Sequence, residues 1–553
     1  MKKSYIYIGI CMGLIIIYFL SNVFYFRMDI TSDKKYTLSD YTRKLLNELP
    51  DNVQVIIYLD GSLDSDYLRL KKAAVELLDE FNARSSRKIA YSFHNPNQAK
   101  NEEERKNRRL QLLNRGITDE ILVETDNEGR ITQKSVFPWA DVILGKDTVS
   151  VCLLSEYARE SNRERINASI EDLEYRLTEA LTDLTETEVP EIAFLEGRGE
   201  LPEIYVYDAV EALSKRYSVF RGSIAEIDEI PPYKALIIAG PTQKFSEKEK
   251  YLLDRYLVSG GSIFILMTGA VVSYEDLRQS GKSASMVNDV NLADLFFRYG
   301  FRINPVLLQD VQSVSIPLKV GDDNQTFHSA PWYFAPALNP SGNHPITRNS
   351  APVKAEFVSS IDFTGDNADI KKFVLLTTSA RTHVVSVPEM ISPDAARVKE
   401  TAEYFNQSNI PTAVLLEGLF PSAFENRFPP DGVRFRDKPT AKPGKIIVAG
   451  SANIIRNEIR WSNNTGTALP LGYDSYMDRQ FGNRDFVVNS VNYLSGNESR
   501  IFLRNKHNTL RLLDKTKINS EKNFWSMTNI GIPILILIVA MSGFRFWRKR
   551  KYG

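Results

Sequence analysis

Pro190-Glu-Ile-Ala-Phe-Leu195, Ala235-Leu-Ile-Ile-Ala239 and Ser262-Ile-Phe-Ile-Leu-Met267 are short, nearly continuous apolar runs, as expected of strands covered on both faces. Between them, residues 204–217 and 246–258 carry apolar side chains at helical spacing, and Gly260-Gly261 supplies a stop after the second. Apolar strands alternating with amphipathic helices predict a doubly wound sheet.

Working outward, residues 270–345 are rich in Gly, Ser, Asn and Pro and read as a long excursion, interrupted by a helix over 290–299 that Gly300 stops. Strands are predicted again at 373–377, 384–387, 413–416 and 445–449, and a helix at 486–494 completes the body. Upstream, Ser39 is a candidate cap for a helix over 41–49. Val53-Gln-Val-Ile-Ile-Tyr-Leu59 and residues 89–93 read as strands around a helix over 68–82, a β-α-β order that predicts a second, smaller α/β unit with a largely parallel sheet. Residues 121–124 and 131–137 resemble a hairpin, 102–109 a solvated helix of mixed charge, and 167–184 an amphipathic helix.

The ends differ from the body. Residues 5–26 and 524–544 carry no charge, and about 20 apolar helical residues suffice to cross a bilayer. The first is too long for a usual signal-peptide core, and Ser21-Asn22-Val23 is a poor cleavage site, so an uncleaved anchor is expected. Arg545, Arg548, Lys549, Arg550 and Lys551 follow the second, and basic residues accumulate on the cytoplasmic side. The expected organisation is a cytoplasmic start at 1–4, a span at 5–26, extracytoplasmic α/β domains at 27–185 and 186–507, a linker at 508–523, a span at 524–544 and a basic cytoplasmic tail at 545–553. Both termini would then be cytoplasmic.

The chain has 69 basic and 69 acidic residues among 553, with 43% hydrophobic and 25% charged side chains. That composition excludes wholesale disorder. Residues 27–523 hold all the acids but only 62 of the bases, a net of −7 that does not suit a nucleic-acid partner. Cys11 and Cys152 make no disulfide framework, and His94, His328, His344, His383 and His507 are too scattered for a metal site.

No catalytic, cofactor-binding or metal-binding residues are expected, and no cofactor. Gly281-Lys282-Ser283 lacks the glycine a phosphate loop needs five places earlier, where Asp276 stands. Gly197-Arg-Gly199-Glu200 follows a strand but lacks the third glycine of a dinucleotide fingerprint, so a turn accounts for it better. No G-x-S-x-G elbow occurs. Gly240-Pro241-Thr242 follows a strand where amidotransferase-like sheets carry a cysteine, and none is present. Cys152 is more simply a structural thiol. The most unusual local composition is Pro331-Trp-Tyr-Phe-Ala-Pro336 with Asn343-His-Pro-Ile346. Trp332, Tyr333, Phe334 and His344 are therefore the candidate interaction surface. The competing account, which weighs more, is that these aromatics pin a long loop onto the sheet.

Three blocks carry a resemblance: Arg27-Met-Asp-Ile-Thr-Ser-Asp-Lys-Lys-Tyr-Thr-Leu-Ser39 after the first apolar run, Pro331–Pro336 with His344-Pro-Ile-Thr347, and Ala413-Val-Leu-Leu-Glu-Gly-Leu-Phe-Pro-Ser-Ala-Phe-Glu-Asn-Arg427. In order, and with apolar runs at both ends, they resemble the auxiliary subunits of gliding-motility-type ABC transporters of Bacteroidetes. The resemblance implies a non-enzymatic subunit of the inner membrane with a periplasmic body, partnering a separate permease and a cytoplasmic ATPase, besides membrane lipid. It also implies a class I amidotransferase-like second α/β domain, and it names no substrate. Two other function classes remain open at this point: a tethered solute receptor with a cleft between the two α/β units, and an amidotransferase or hydrolase descendant.

Overall fold

The computed structural model describes residues 37–552 apart from 99–100, 126–130, 155–161, 187–188, 320–326, 349, 426, 432, 434–438, 463–464 and 498–514. Contacts divide the chain into a compact body, Thr37–His507, and a second unit that includes the C-terminal helix. The predicted first span at 5–26 lies outside the described residues.

In the first part of the body, helix α1 (Asp40–Asn47) precedes strand β1 (Val53–Ile57), helix α2 (Ser65–Arg84), strand β2 (Ile89–Phe93) and helix α3 (Glu102–Asn114). A hairpin, β3 (Glu120–Thr125) and β4 (Ile131–Val136), leads to β5 (Trp139–Leu144), β6 (Asp147–Cys152) and helix α4 (Asn162–Thr185). Ser39 caps α1 by accepting the Thr42 N–H, and Asp64 caps α2 by accepting that of Tyr67.

The four-stranded sheet has the order β2-β1-β5-β6. Only β1 and β2 are parallel; β1 with β5 and β5 with β6 are antiparallel. The largely parallel sheet expected here is thus replaced by a mixed one. The reason is local: Leu144 pairs with Asp147 across the two residues Gly145-Lys146, with Gly145 at φ 63°. A two-residue connection can join only antiparallel strands. Helices α2 and α4 cover one face of this sheet through Leu70, Ala74, Leu78, Phe81, Leu173 and Leu177.

The second part holds β7 (Glu191–Leu195), helix α5 (Glu203–Ser214), β8 (Ser218–Gly222), β9 (Ala235–Ala239), helix α6 (Glu247–Val258), β10 (Ser262–Leu266) and helix α7 (Ala293–Tyr299). After them come β11 (Ser313–Lys319), β12 (Phe327–Pro340), β13 (Ile370–Thr377), β14 (Pro411–Gly418), β15 (Gly444–Ala449) and helix α8 (Asn483–Leu494). A ten-stranded sheet runs β11-β12-β13-β14-β15-β10-β9-β7-β8, with Val353–Lys354 paired to β12. Strands β8, β7, β9, β10 and β15 are mutually parallel, whereas β14 onward is antiparallel.

Numbered along the chain, the parallel set has the order 2-1-3-4-5, so the direction of winding reverses between β7 and β9. Alternate side chains serve opposite faces. Ala235, Ile237, Phe264 and Leu266 pack with Val206, Leu213 and Phe486 of α5 and α8. Leu236, Ile238, Ile263 and Ile265 pack with Leu252, Leu257 and Leu295 of α6 and α7. Both faces of β7, β9, β10 and β15 are therefore dry, which explains their continuous apolar character. The residues read as an excursion contribute strands β11 and β12 to the sheet itself.

Helix α9 (Lys515–Tyr552) contains Pro533. Its segment Met527–Arg550 has a mean hydropathy of 2.0 and is long and apolar enough to cross a membrane.

Candidate functional site at the carboxyl edge of the sheet

The four candidate interaction residues are core residues. Trp332, Tyr333, Phe334 and His344 are 5, 2, 3 and 5% exposed. Trp332 and Phe334 point to one face of β12, where their rings meet each other and Phe357. Tyr333 points to the other and meets Phe405. The ring of His344 lies apart from them, between Phe373 and Tyr493. An exposed recognition surface is thereby corrected to core packing. The cause is that β12 is covered on both faces, so its alternation buries every side chain from Trp332 to Leu338.

In doubly wound sheets, ligands bind outside the carboxyl ends of the strands where the winding reverses. Here that point lies between the loop after β7, Glu196-Gly-Arg-Gly-Glu200, and the loop after β9, Gly240-Pro-Thr-Gln243. The first loop turns back through Gly197 at φ 103° and Gly199 at φ 78°, a left-handed conformation that favours glycine.

The two loops close on each other. The N–H groups of Thr242 and Gln243 both donate to the Arg198 carbonyl at 2.9 Å, and the Leu201 N–H donates to that of Ala239 at 2.9 Å. Arg198 then reaches helix α6, giving Nε to Glu249 Oε1 at 2.9 Å and Nη2 to Glu249 Oε2 at 2.7 Å, a two-point pairing. Glu249 is 1% exposed and closes a capping box with Ser246. Burial alone would lift its pKa, but the bonds from Arg198 and Ser246 outweigh that and hold it below the ordinary carboxylate value.

Gly240 occupies the turn directly after β9, at φ 73°. A Cβ there would stand 2.9 Å from the Ala452 methyl and 3.3 Å from Leu201 Cγ. A nucleophile at such a turn needs open space above the sheet; this turn has a glycine beneath two apolar side chains.

The far side of the crest is equally locked. Glu356 accepts from Trp332 Nε1 at 2.8 Å and from the Tyr274 hydroxyl at 2.7 Å. Burial first, and then the Glu356 carboxylate, drive the Tyr274 pKa well above its usual value. The Arg456 guanidinium lies 4.4 Å from the ring centres of both Tyr205 and Tyr274. Among the described residues no cluster of three His, Cys, Asp or Glu side chains is arranged to hold a metal ion. Cys152 ends strand β6, part-buried, with its carbonyl accepting from Arg176.

Glu200 is the exception within the closed loops. Its Oε2 accepts the Arg198 N–H, while Oε1 is buried without a hydrogen-bond partner. Burial pushes its pKa up against the pull of those backbone N–H groups. The fold therefore favours the protonated form. That stabilisation is present below the unfolded carboxyl value of about 4.3 and is lost as pH rises through the raised folded value. Glu200→Gln should leave stability at neutral pH equal or higher and flatten its dependence between about pH 4 and pH 8. Thermal melts across that range check this; a uniform loss at every pH would show that the charge itself is needed. Local pattern marks the glycines; the glutamate is not singled out, although the Ser246-x-x-Glu249 spacing of a capping box is a signal that could have found it. Nothing local marks Arg198 as its partner 51 residues away.

Residues 189–490 match the family model described as an ABC-type uncharacterized transport system. The chain belongs to that family. Residues 32–143 match a domain of unknown function. An uncharacterized protein of Borreliella burgdorferi is 22% identical over 543 residues, covering 95% of this chain and 94% of that protein. Among solved structures, the N-terminal domain of mmIFT52 is similar at 17% identity and a TM-score of 0.29, covering 48% of this chain and 88% of that one, and it carries no argument at that score. The family is one of transport auxiliaries, which places the chain with an ABC transport system.

Proposed function

We propose that the chain is a non-enzymatic auxiliary subunit of an ABC transporter of the gliding-motility type, the GldG-like subunits of Bacteroidetes. Its helix 524–544 and a first helix at 5–26 would anchor a periplasmic body in the inner membrane, with the basic tail in the cytoplasm. The body would assemble with a separate permease and a cytoplasmic ATPase. The observation that carries this reading is the transport-auxiliary family match over 189–490, joined to an apolar segment of membrane-crossing length at Met527–Arg550.

The closed carboxyl edge supports a role without chemistry. Where an amidotransferase-like sheet would present its nucleophile, this chain places Gly240 against Ala452. We read the second α/β part as that fold with its elbow chemistry lost. Mild-detergent purification of the tagged full chain from its own membranes should bring down a permease and an ATPase as stoichiometric partners. Recovery of a solitary chain, under conditions that keep other transporters whole, would count decisively against the reading.

A further inference from the structure

The ten-stranded sheet ends in two terminal strands, β8 and β11, and a sheet edge offers main-chain groups to any chain that can pair with it. Strand β11 is guarded. It carries Pro317 and Lys319, and its register against β12 shifts between Ser313 and Ser315, all features that discourage such pairing. Strand β8, Ser218-Val-Phe-Arg-Gly222, has no proline, no lysine and an unbroken register against β7.

Its hydrogen bonds show which groups face outward. The Ser218 N–H donates to the Pro190 carbonyl at 3.0 Å, and the Gly222 carbonyl accepts from the Glu196 N–H at 2.9 Å. With Val219 opposite Ile192 in a parallel register, Ser218, Phe220 and Gly222 turn their main chain toward β7, while Val219 and Arg221 turn theirs away. Among the described residues, no hydrogen bond is made by the main-chain groups of Val219 or Arg221. The one charge on the strand does not guard it. Arg221 folds back onto its own sheet, with Nε and Nη2 each 2.7 Å from Glu196 Oε1 and Nη2 3.3 Å from the Leu201 carbonyl. The connection to β9 packs on a face of the sheet, where Ile224 and Ile230 join Leu195 and Leu236. At the end of the strand, a Cβ on Gly222 would meet nothing within 4 Å.

The strand is also self-complementary. Two copies laid antiparallel about a two-fold axis at Phe220 place Val219 opposite Arg221 of the second copy, and each such pair exchanges two N–H···O=C bonds. Every outward group is then used. Phe220 is 43% exposed, with its ring 5.7 Å from that of Tyr233. It would face its own copy at the centre, a non-hydrogen-bonded pair with Cα atoms about 4.5 Å apart, where aromatic side chains stabilise pairing. We propose that β8 is a homodimer interface, at which a second copy of this chain continues the sheet.

The test uses the full chain, produced without other transporter subunits, in detergent, with mass read by light scattering over a range of concentrations. The natural chain should be a dimer. Val219→Pro removes an outward N–H that edge strands can spare, and should weaken dimerisation roughly thirtyfold for the two bonds lost per dimer. Phe220→Lys and Phe220→Glu should each give monomers, because like charges then stand directly opposite. Co-expressed under two different tags, those two variants should pair with each other, and circular dichroism checks that each is folded. In a Cys11→Ser, Cys152→Ser background, Phe220→Cys should give a covalent dimer under mild oxidation, whereas Thr467→Cys should not. A natural chain that stays monomeric overturns the proposal, as does a dimer indifferent to all three β8 substitutions. Failure of the charge-swapped pair to associate overturns the two-fold pairing at Phe220. Protection of 218–222 from hydrogen exchange by a different polypeptide, with no second copy present, overturns the second copy as the occupant.

Discussion

Gly450→Ala should destabilise the body by about 3 kcal/mol, at the upper end of what overpacking costs. Gly450 follows β15, and its N–H donates to the Thr412 carbonyl while its own carbonyl accepts from Ser359, both at 2.8 Å. A Cβ would fall 2.1 Å from the Ser359 carbonyl oxygen and 3.3 Å from that of Thr412. Both neighbours are backbone atoms of paired segments, so neither can swing aside as a side-chain tip could. Ser359 is fixed further by its hydroxyl, which accepts from the Gly269 N–H and donates to the Val306 carbonyl. Moving it would disturb the crest on both sides. The thermal midpoint should fall by roughly 5 °C, whereas Gly342→Ala, where nothing lies within 4 Å, should change stability by no more than about 0.5 kcal/mol. Equal melts for the two variants would show that the crest yields where its hydrogen bonds say it is rigid.

That crest also shows what sequence can and cannot reveal. The helix starts at Ser39 and Ser246 and the stops at Gly260 and Gly300 follow from local chemistry, and the structure has a cap or a positive φ at each. Strand β8, Ser218-Val-Phe-Arg-Gly222, gives no apolar run because it forms a sheet edge and is only half covered. Strand β12 was concealed by Pro331 and Pro336, which cannot donate to a ladder. It tolerates them because the register against β11 shifts between Ser313 and Ser315, opposite this stretch. The aromatic residues between those prolines are unusual in composition because they fill a core from both faces of one strand. At the candidate site, the charged clamp depends on Arg198 meeting Glu249 only after β7 and α6 have packed, and no local spacing encodes that meeting.

Lys354→Met should cost about 3 kcal/mol at neutral pH, the lower end of what breaking a buried ion pair costs. Lys354 Nζ lies 2.6 Å from Glu458 and 2.7 Å from Asp474, and only 7% of the Asp474 side chain is exposed. Burial works against the ammonium, but the bonds to Asp474 and Glu458 outweigh it and raise its pKa. A raised lysine pKa gives stability that is complete below the unfolded value of about 10.4 and is lost as pH climbs through the folded one. The pairing is thus fully present at pH 7. Its place in the fold makes it matter: the Lys354 N–H and carbonyl both bond to Asn483 at the start of α8, while Asp474 holds the N–H groups of Tyr476 and Met477. With methionine at 354, two partly buried carboxylates face each other without a cation. Adding Asp474→Asn should restore part of the loss, because one uncompensated charge goes while the side chain still accepts hydrogen bonds. In a double-mutant cycle, the pair should then cost less than the sum of its members. Strict additivity would mean that the three charges are held by the fold without contributing to it.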